Sequence, residues 1–476
     1  MKWIPPAQPG NLRYFYEISQ IPRPSFHEER VVDYLEQFAR EHGLWYIRDA
    51  MHNLIMKKPG SKGREQEAPL ILQAHTDMVC AKEAWSTHDF SKDPIDIREE
   101  DGWLTANGTT LGADDGAGVA NILGLLAEPD LSHPPLECLF TVQEEDGMGG
   151  AKGIDLSCLS GKRMIGLDGI QEGTTIYSAS SVWACKLKAD FTPEISGNPC
   201  YRLQVSGLTS GHGALMIGAE RANAIKAAAR LLRLVPGLQL SSMAGGGLVH
   251  VIPGSCSAEF TAPAALEELN TLLLPAIDQL RKEYAETDPG LSVMLESAAS
   301  CENNVLPVSE TSRILKLLYL LPVGAHKRTG SKPEQVEGSF NLSILNLSPE
   351  HMEAHYVCRS NYPVSIQELR STAEEYAALF RMDVEPTMEY AGHYVPTDSP
   401  LIQLWSRVYE EDTGKPLGLT FIHSALDAGT IFEKQGLTDL IVIMPTTLDV
   451  HTPRERVNLD SFCRTYQYLK EILARC

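Results

Sequence analysis

Two regions, one toward each end of the chain, alternate short apolar runs with helical patterns, and this alternation restricts the possible folds. In the first region the apolar runs lie at 69–73, 136–142 and 163–167, and segments such as 30–40 have helical periodicity. The last region repeats the pattern around an apolar run at 440–444. Strands that are apolar throughout are typical of sheets covered on both faces. The alternation therefore predicts an α/β fold with a doubly wound, mostly parallel sheet.

The middle of the chain has a different character. It contains long amphipathic helical patterns at 221–234, 264–286 and 366–380, and strands that alternate apolar and polar residues at 342–347 and 354–359. Alternation is typical of a sheet with one exposed face. A chain of 476 residues is also long enough for more than one core. We therefore expect an α/β domain formed by 1–185 plus 389–476, with an α+β domain inserted at 186–388.

Composition excludes several classes of function. The chain has 41 Lys and Arg against 62 Asp and Glu, a formal charge of −21, which argues against nucleic acid as a partner. No apolar run approaches the ~20 residues of a membrane span, and the N-terminal residues lack the apolar core of a signal peptide. The ten cysteines form no CxxC pair, so we expect reduced thiols and a cytoplasmic protein.

Acidic and imidazole side chains follow the predicted strands. The runs LILQAHTD, LGADDGAG, LFTVQEEDG, MIGLDG and LDVHTPRERV supply His75, Asp77, Asp114, Glu144, Glu145, Asp168 and His451. Taken singly, such residues are commonly surface histidines, solvated turns or helix caps. In an open α/β sheet, however, the carboxyl ends of the strands meet at one edge. We therefore expect most of these side chains to converge on a single site.

The residue types indicate metal chemistry. Imidazoles and carboxylates without a thiolate suit zinc, manganese or cobalt. A carboxylate shared by two such ions would hold them about 4 Å apart and activate a water between them. Of the adjacent Glu144 and Glu145, one could bind metal while the other serves as general base. Asp77, two residues from His75, could orient its imidazole.

The motifs in this order resemble those of the M20 family of dinuclear metallopeptidases. HTD, GADDGAG, QEEDGMGG, LDG and HTPRERV span most of the chain, while HDFSKDPID, TTLGADDGAG, YVCRS and IHSALDAG resemble its aminoacyl-histidine dipeptidase (Xaa-His dipeptidase) branch. The resemblance implies two divalent ions, zinc with manganese or cobalt as alternatives. It implies the ligands His75, Asp114, Glu145, Asp168 and His451, with Asp114 bridging. It also implies Asp77 as the orienting carboxylate, Glu144 as the base, and a cis Asp114–Asp115 peptide.

The resemblance also assigns substrate contacts to the middle domain, which in this family acts as a lid and a dimerisation surface. His212 in SGHGA resembles a histidine that stabilises the oxyanion, and Arg359 resembles the arginine that pairs with the substrate carboxylate. A turn histidine and a structural arginine are the alternatives for these two residues. Asn223 and His423 are further candidates for substrate binding, although Asn223 also suits the start of a helix. A homodimer formed through this domain is expected.

The expected function is metal-dependent hydrolysis of unblocked dipeptides. The enzymatic alternatives are a deacylase of N-acyl amino acids and a tripeptidase, and a non-catalytic binding protein of the same fold is a third. Two segments depart from the family pattern, namely DGIQEGTTIYSASSV after Asp168 and the run from His423 to Gly429. Neither departure removes a predicted ligand or the base. They bear on which dipeptides are cleaved.

Overall fold

A computed structural model describes residues 3–6, 9–298, 304–329, 332 and 335–476. It divides into two compact units. Unit 1 comprises Met1–Ala179, Gly392–Phe421 and Leu426–Cys476, and unit 2 comprises Ser180–Ala391 and Ile422–Ala425. The division of the chain into separately folding domains at 185/186 and 388/389 stays a prediction.

The main sheet of unit 1 has six strands. In spatial order they are Trp45–Arg48, Leu54–Lys58, Leu136–Thr141, Leu70–His75, Arg163–Gly166 and Asp439–Val442. The last four run parallel to one another, and the first two add antiparallel strands at one edge. The predicted mostly parallel α/β fold is confirmed. The sequence did not predict these two antiparallel strands, and the outermost one, Trp45–Arg48, has no buried residue.

The centre of this sheet forms the core of unit 1. Every residue of Leu70–His75 and Leu136–Thr141 is buried, which explains why apolar residues occur on both faces of these strands. The helices of the unit are Gly10–Ser19, Glu29–Glu41, Ala113–Ala127, Gly149–Gly153, Pro400–Thr413, Asp427–Gln435 and Leu459–Arg475. Two smaller sheets contain Thr174–Ala179, His393–Tyr394 and Gly418–Ile422, and Ile97–Glu100, Trp103–Ala106, Thr447–Leu448 and Arg456–Asn458.

Unit 2 is built on a large sheet whose strand pairs are antiparallel. In spatial order its strands are Ser292–Ser297, Cys200–Ser206, Cys256–Thr261, Gln239–Gly245, Val336–Leu347, His351–Ser360, Ser181–Asp190 and Asp383–Tyr390, and Gly324–Arg328 also pairs with Val336–Leu347. The longer helices are Ala224–Leu232, Leu266–Glu283, Val308–Leu320 and Pro363–Leu379. Met352, Ala354, Tyr356 and Cys358 alternate along one strand into the unit's core.

Short elements complete unit 2. They are the strand pairs Glu194–Ile195 with Asn304–Val305 and Gly211–His212 with Val251–Ile252, the helix Gly213–Met216, and the 3₁₀ turn Ile217–Ala219. Eight cysteines in the described part of the chain are free, but Cys200 is disulfide-bonded, so the expectation of reduced thiols is wrong at that position. None of the helices in the described part of the chain is both long and apolar enough to cross a membrane.

Candidate metal centre

Three neighbouring parallel strands of unit 1 deliver three of the five candidate ligands and the candidate base. His75 is the last residue of Leu70–His75, Glu144 and Glu145 follow Leu136–Thr141, and Asp168 follows Arg163–Gly166. His75 pairs in register with Thr141, so these strand ends are level with each other. The carboxyl ends of parallel strands gather at one edge, as the sequence predicts.

The side chains form two clusters that share Asp114. One contains His75, Asp114 and Asp168, the other Asp114, Glu145 and His451, and within each cluster the potential ligand atoms lie within 4.8 Å of one another. Asp114 Oδ1 lies 3.2 Å from His75 Nε2, and its Oδ2 lies 3.2 Å from His451 Nε2. The two oxygens of one carboxylate thus face the two clusters.

The donor set fits two divalent ions. Each cluster offers one imidazole and two carboxylates, with no thiolate, which suits zinc, manganese or cobalt. Glu145 Oε2 lies 3.1 Å from His451 Nε2, while its buried Oε1 has no hydrogen-bond partner among the described residues. A buried carboxylate oxygen without a partner is costly unless a cation balances it.

The pKa shifts of the candidate ligands also indicate a site that favours cations. Burial, and then the charge of Asp114, raise the pKa of Asp168 to about 8. Hydrogen bonds with Asp114 and Glu145 raise the pKa of His451 to about 11. Burial alone would lower the pKa of His75, but Asp114 and Asp77 outweigh it and raise that pKa well above its usual value. The crowded carboxylates therefore favour positive charge at their centre.

Asp77 is fully buried behind His75. Its Oδ1 lies 3.3 Å from His75 Nδ1, on the side of the ring opposite Asp114. The same carboxylate accepts hydrogen bonds from the Ser25 hydroxyl at 2.7 Å and from the backbone N–H groups of Glu144 and Glu145 at 3.1 and 3.2 Å. Asp77 thus lies against the His75 imidazole and holds the backbone at the start of the Glu144–Glu145 turn.

Glu144 differs from its neighbour in its surroundings. Burial, and then the charge of Asp168, raise the pKa of Glu144 well above its usual value. Its backbone is held by Asp77, and it belongs to neither potential ligand cluster. A carboxyl group with a raised pKa beside a metal centre is suited to accept and return a proton near neutral pH.

Two residues that the sequence does not single out hold the loop before Asp114. Buried Glu455 accepts hydrogen bonds from four consecutive backbone N–H groups at 2.7 to 3.2 Å, those of Leu111, Gly112, Ala113 and Asp114. Buried Arg23 donates to the carbonyl oxygens of Thr76, Asp77 and Gly112. Glu455 lies within the quoted HTPRERV motif, whereas nothing around Arg23 distinguishes it. The Asp114–Asp115 peptide is cis.

In unit 2, Arg359 lines a small niche. The niche is a cavity of about 10 Å³ whose lining includes Arg359, His250, Ser339 and Asn341. Arg359 is 7% exposed and has no ion pair with an acidic residue in the described part of the chain. Burial lowers its pKa to about 10. A buried guanidinium without a carboxylate partner favours an anionic ligand.

His212 has a defined tautomer. Its Nδ1 accepts a hydrogen bond from the backbone N–H of Ala214 at 3.2 Å, so the neutral ring carries its proton on Nε2. Burial, and then the charge of Arg359, lower the pKa of His212. The ring of His250, which sequence analysis did not single out, lies 6.1 Å from that of His212. His212 therefore has an N–H donor available for an oxyanion.

The other two predicted substrate residues are engaged within unit 2. Asn223 caps the helix Ala224–Leu232, where its Oδ1 accepts from two backbone N–H groups and its Nδ2 donates to Leu342 O. His423 is buried, and both ring nitrogens have partners, Ser339 at Nε2 and Asn361 at Nδ1.

Comparisons of the sequence and of the structure with known proteins all identify similar peptidases. The model of "Peptidase family M20/M25/M40" matches residues 71–475. The chain is 31% identical over 476 residues to the cytosol non-specific dipeptidase of Escherichia coli (strain K12), with 96% of each covered. The crystal structure of aminoacylhistidine dipeptidase from Vibrio alginolyticus superposes with a TM-score of 0.89 at 29% identity, covering 98% of this chain and 96% of that one. The aminopeptidase PepT of Bacillus cereus, at 15% identity and a TM-score of 0.56 over 98% and 97% of the two chains, shares the fold.

Proposed function

Because the chain belongs to peptidase family M20/M25/M40, we propose that it hydrolyses the peptide bond of unblocked dipeptides at the centre built around Asp114. The observation that carries this proposal is the shared carboxylate of Asp114, which faces one histidine-containing cluster through each oxygen. Relatives named as a cytosol non-specific dipeptidase and an aminoacylhistidine dipeptidase support dipeptides as the substrate class, including those with a C-terminal histidine.

Two divalent metal ions are the proposed cofactors, zinc with manganese or cobalt as alternatives. His75, Asp114 and Asp168 would hold one ion, and Asp114, Glu145 and His451 the other. When bound, such ions lower the pKa of water and polarise the scissile carbonyl.

The surrounding residues supply proton transfer and orientation. Glu144 takes the proton of the attacking water and returns it to the nitrogen of the leaving amine. Asp77 keeps the His75 ring in place and holds the backbone of Glu144 through Oδ1. Glu455 and Arg23 hold the backbone on either side of the site, so that Asp114 stays positioned between the two clusters.

Residues of unit 2 are proposed to bind the substrate. Arg359, which lacks an acidic partner among the described residues, pairs with the substrate's terminal carboxylate. His212 donates through Nε2 to the oxyanion of the tetrahedral intermediate. Asn223 and His423 act indirectly, since their polar atoms already cap a helix and bind Ser339 and Asn361.

A substrate panel tests this function. Purified protein supplied with zinc, manganese or cobalt is assayed on Xaa-His and other dipeptides, N-acetyl amino acids and tripeptides, and metal content is determined on the same sample. We expect cleavage of the free dipeptides. Cleavage of the N-acetyl amino acids alone would favour the deacylase, and preference for tripeptides would favour the tripeptidase.

We further propose a cytoplasmic homodimer formed through unit 2, with small peptides as its substrates and neither nucleic acid nor membrane as a partner. Exposed apolar side chains on three helices of unit 2 support the interface, namely Leu272, Leu274, Val308, Leu320, Val364 and Leu379. Analytical ultracentrifugation should give twice the chain mass of 52.4 kDa. A monomer at micromolar concentration would contradict the dimer.

A further inference from the structure

Ser339 and Arg359 are direct neighbours in the sheet of unit 2. They are paired in register across the antiparallel strands Val336–Leu347 and His351–Ser360. Such pairs project on the same side of a sheet, with Cβ atoms roughly 5 Å apart. Both side chains line the same small niche.

Hydrogen bonds behind Ser339 determine where its proton lies. Asn361 Nδ2 donates to the carbonyl oxygen of Ile422 at 2.5 Å, which places Asn361 Oδ1 toward His423 Nδ1 at 2.7 Å. An amide oxygen only accepts hydrogen bonds, so His423 Nδ1 must carry a proton. In a neutral ring, Nε2 is then an acceptor.

The ring of His423 is neutral at physiological pH. It is 8% exposed, and burial followed by the charge of Arg359 lowers its pKa to about 3. Ser339 Oγ lies 2.7 Å from His423 Nε2. Ser339 therefore donates its single hydroxyl proton to His423, and toward a ligand its oxygen can only accept.

The niche therefore offers a ligand one group that only donates hydrogen bonds and one group that only accepts them. Arg359 has only donors and carries a positive charge, whereas Ser339 presents a neutral acceptor beside it. A matching ligand has an anionic group and an N–H donor a few ångströms apart. The C-terminal residue of a peptide has both, because its carboxylate and its amide N–H are attached to the same α-carbon.

We propose that Ser339 is a specificity-determining residue that accepts the amide N–H of the substrate's C-terminal residue while Arg359 binds that residue's carboxylate. His423 and Asn361 are positioning residues that keep Ser339 an acceptor. The inference rests on the proposed dipeptidase function. Its consequence is selection for secondary amides, because proline or an N-methylated residue at the C-terminal position has no amide proton to donate.

The test compares Leu-Ala with Leu-N-methylalanine as substrates of the metal-loaded protein. Wild type should prefer Leu-Ala, and Ser339→Ala should reduce that preference roughly tenfold, through a higher KM for Leu-Ala, because one hydrogen bond is lost. Ser339→Thr, which keeps the hydroxyl, should retain the preference. His423→Phe keeps a ring but removes the nitrogen that accepts the Ser339 proton. This variant should therefore also reduce the preference for Leu-Ala.

Ser343→Ala is the matched control. Ser343 is a buried serine on the same strand whose hydroxyl donates to His355 O, outside the niche. This variant should keep the wild-type preference. If wild type cleaves Leu-Ala and Ser339→Ala has an unchanged preference, the inference is overturned while the dipeptidase function stands. If wild type cleaves no dipeptide, both are overturned.

Discussion

At the scale of single residues, the proposed metal site depends on the residues that hold the proposed ligands in place as well as on the ligands themselves. Asp77 belongs to neither ligand cluster, yet it contacts His75 and the backbone of both Glu144 and Glu145. Asp77→Asn should therefore weaken metal binding about 10- to 100-fold while the protein remains folded. Titration against a chelator measures this. Exposed Asp146 is the matched control, and Asp146→Asn should keep wild-type affinity. Equal affinities for the two variants would contradict the orienting role.

The sequence was sufficient to choose candidate ligand residues, but it did not reveal the hydrogen-bond partners of the residues around them. The order of HTD, GADDGAG, QEEDG and the late histidine sufficed to propose the ligands, because imidazoles and carboxylates after strands have few other common uses together. It could not reveal that both nitrogens of His423 are engaged, nor that Arg23 holds three carbonyl oxygens. Such contacts join residues far apart in sequence, and no local pattern encodes them.

At the scale of elements, the loop leading into the helix Ala113–Ala127 positions the shared carboxylate. Glu455 holds four consecutive N–H groups of this loop. Hydrogen bonds to a charged group contribute about 1.5–3 kcal/mol each. Glu455→Gln should therefore lower the melting temperature and the metal affinity together, whereas Glu471→Gln on the surface should change neither. A variant with lower stability but unchanged metal affinity would contradict a role for Glu455 in placing Asp114.

A second element-scale prediction concerns Asn223. Its side chain caps Ala224–Leu232 by accepting from Ile225 N and Lys226 N. Asn223→Ala should cost about 1 kcal/mol in the free energy of unfolding of unit 2, and Asn223→Asp, which can still cap, should cost less. Denaturant unfolding measures both. Equal stability of Asn223→Ala and wild type would contradict the capping role.

Elements also differ in how well sequence predicted them. Leu70–His75 and Leu136–Thr141 are found within two residues of their predicted positions because both faces are buried and most of their residues are apolar. The sequence also predicts a helix at 118–127, and the helix of the structure, Ala113–Ala127, contains that segment but includes Asp114 and Asp115, whose backbone angles are not helical. The backbone N–H groups of Ala113 and Asp114 donate to Glu455, which is more than 300 residues away in the sequence, so no local pattern reveals this contact.

At the scale of the whole molecule, the buried carboxylates link metal binding to stability. Removing metal by chelation should lower the melting temperature, and zinc, manganese or cobalt should restore it, because the unfolded chain does not assemble the site. A ligand at 100 times its Kd stabilises the folded state by about 2.7 kcal/mol. Differential scanning calorimetry with and without chelator measures the change. Identical melting temperatures would contradict a metal centre.

The chelated protein should also show a pH effect from Asp168. Its pKa is about 8 in the folded protein against an ordinary value of 3.8, because burial and then Asp114 disfavour its charge. A carboxyl with a raised folded pKa binds its proton more tightly when folded. Asp168 should thus cost stability increasingly from about pH 4 to about pH 8. The gain in the free energy of unfolding of Asp168→Asn over chelated wild type should therefore be larger at pH 8 than at pH 5. An equal gain at both pH values would contradict this prediction.

The central claim is that Glu144 transfers the proton at a centre whose metals are held by other residues. The most direct measurement is kcat of Glu144→Gln on a dipeptide that wild type cleaves, with metal content determined on the same sample. We predict a loss of about 10²- to 10⁴-fold in kcat with wild-type metal content. A kcat within a few-fold of wild type, at equal metal content, would contradict the account.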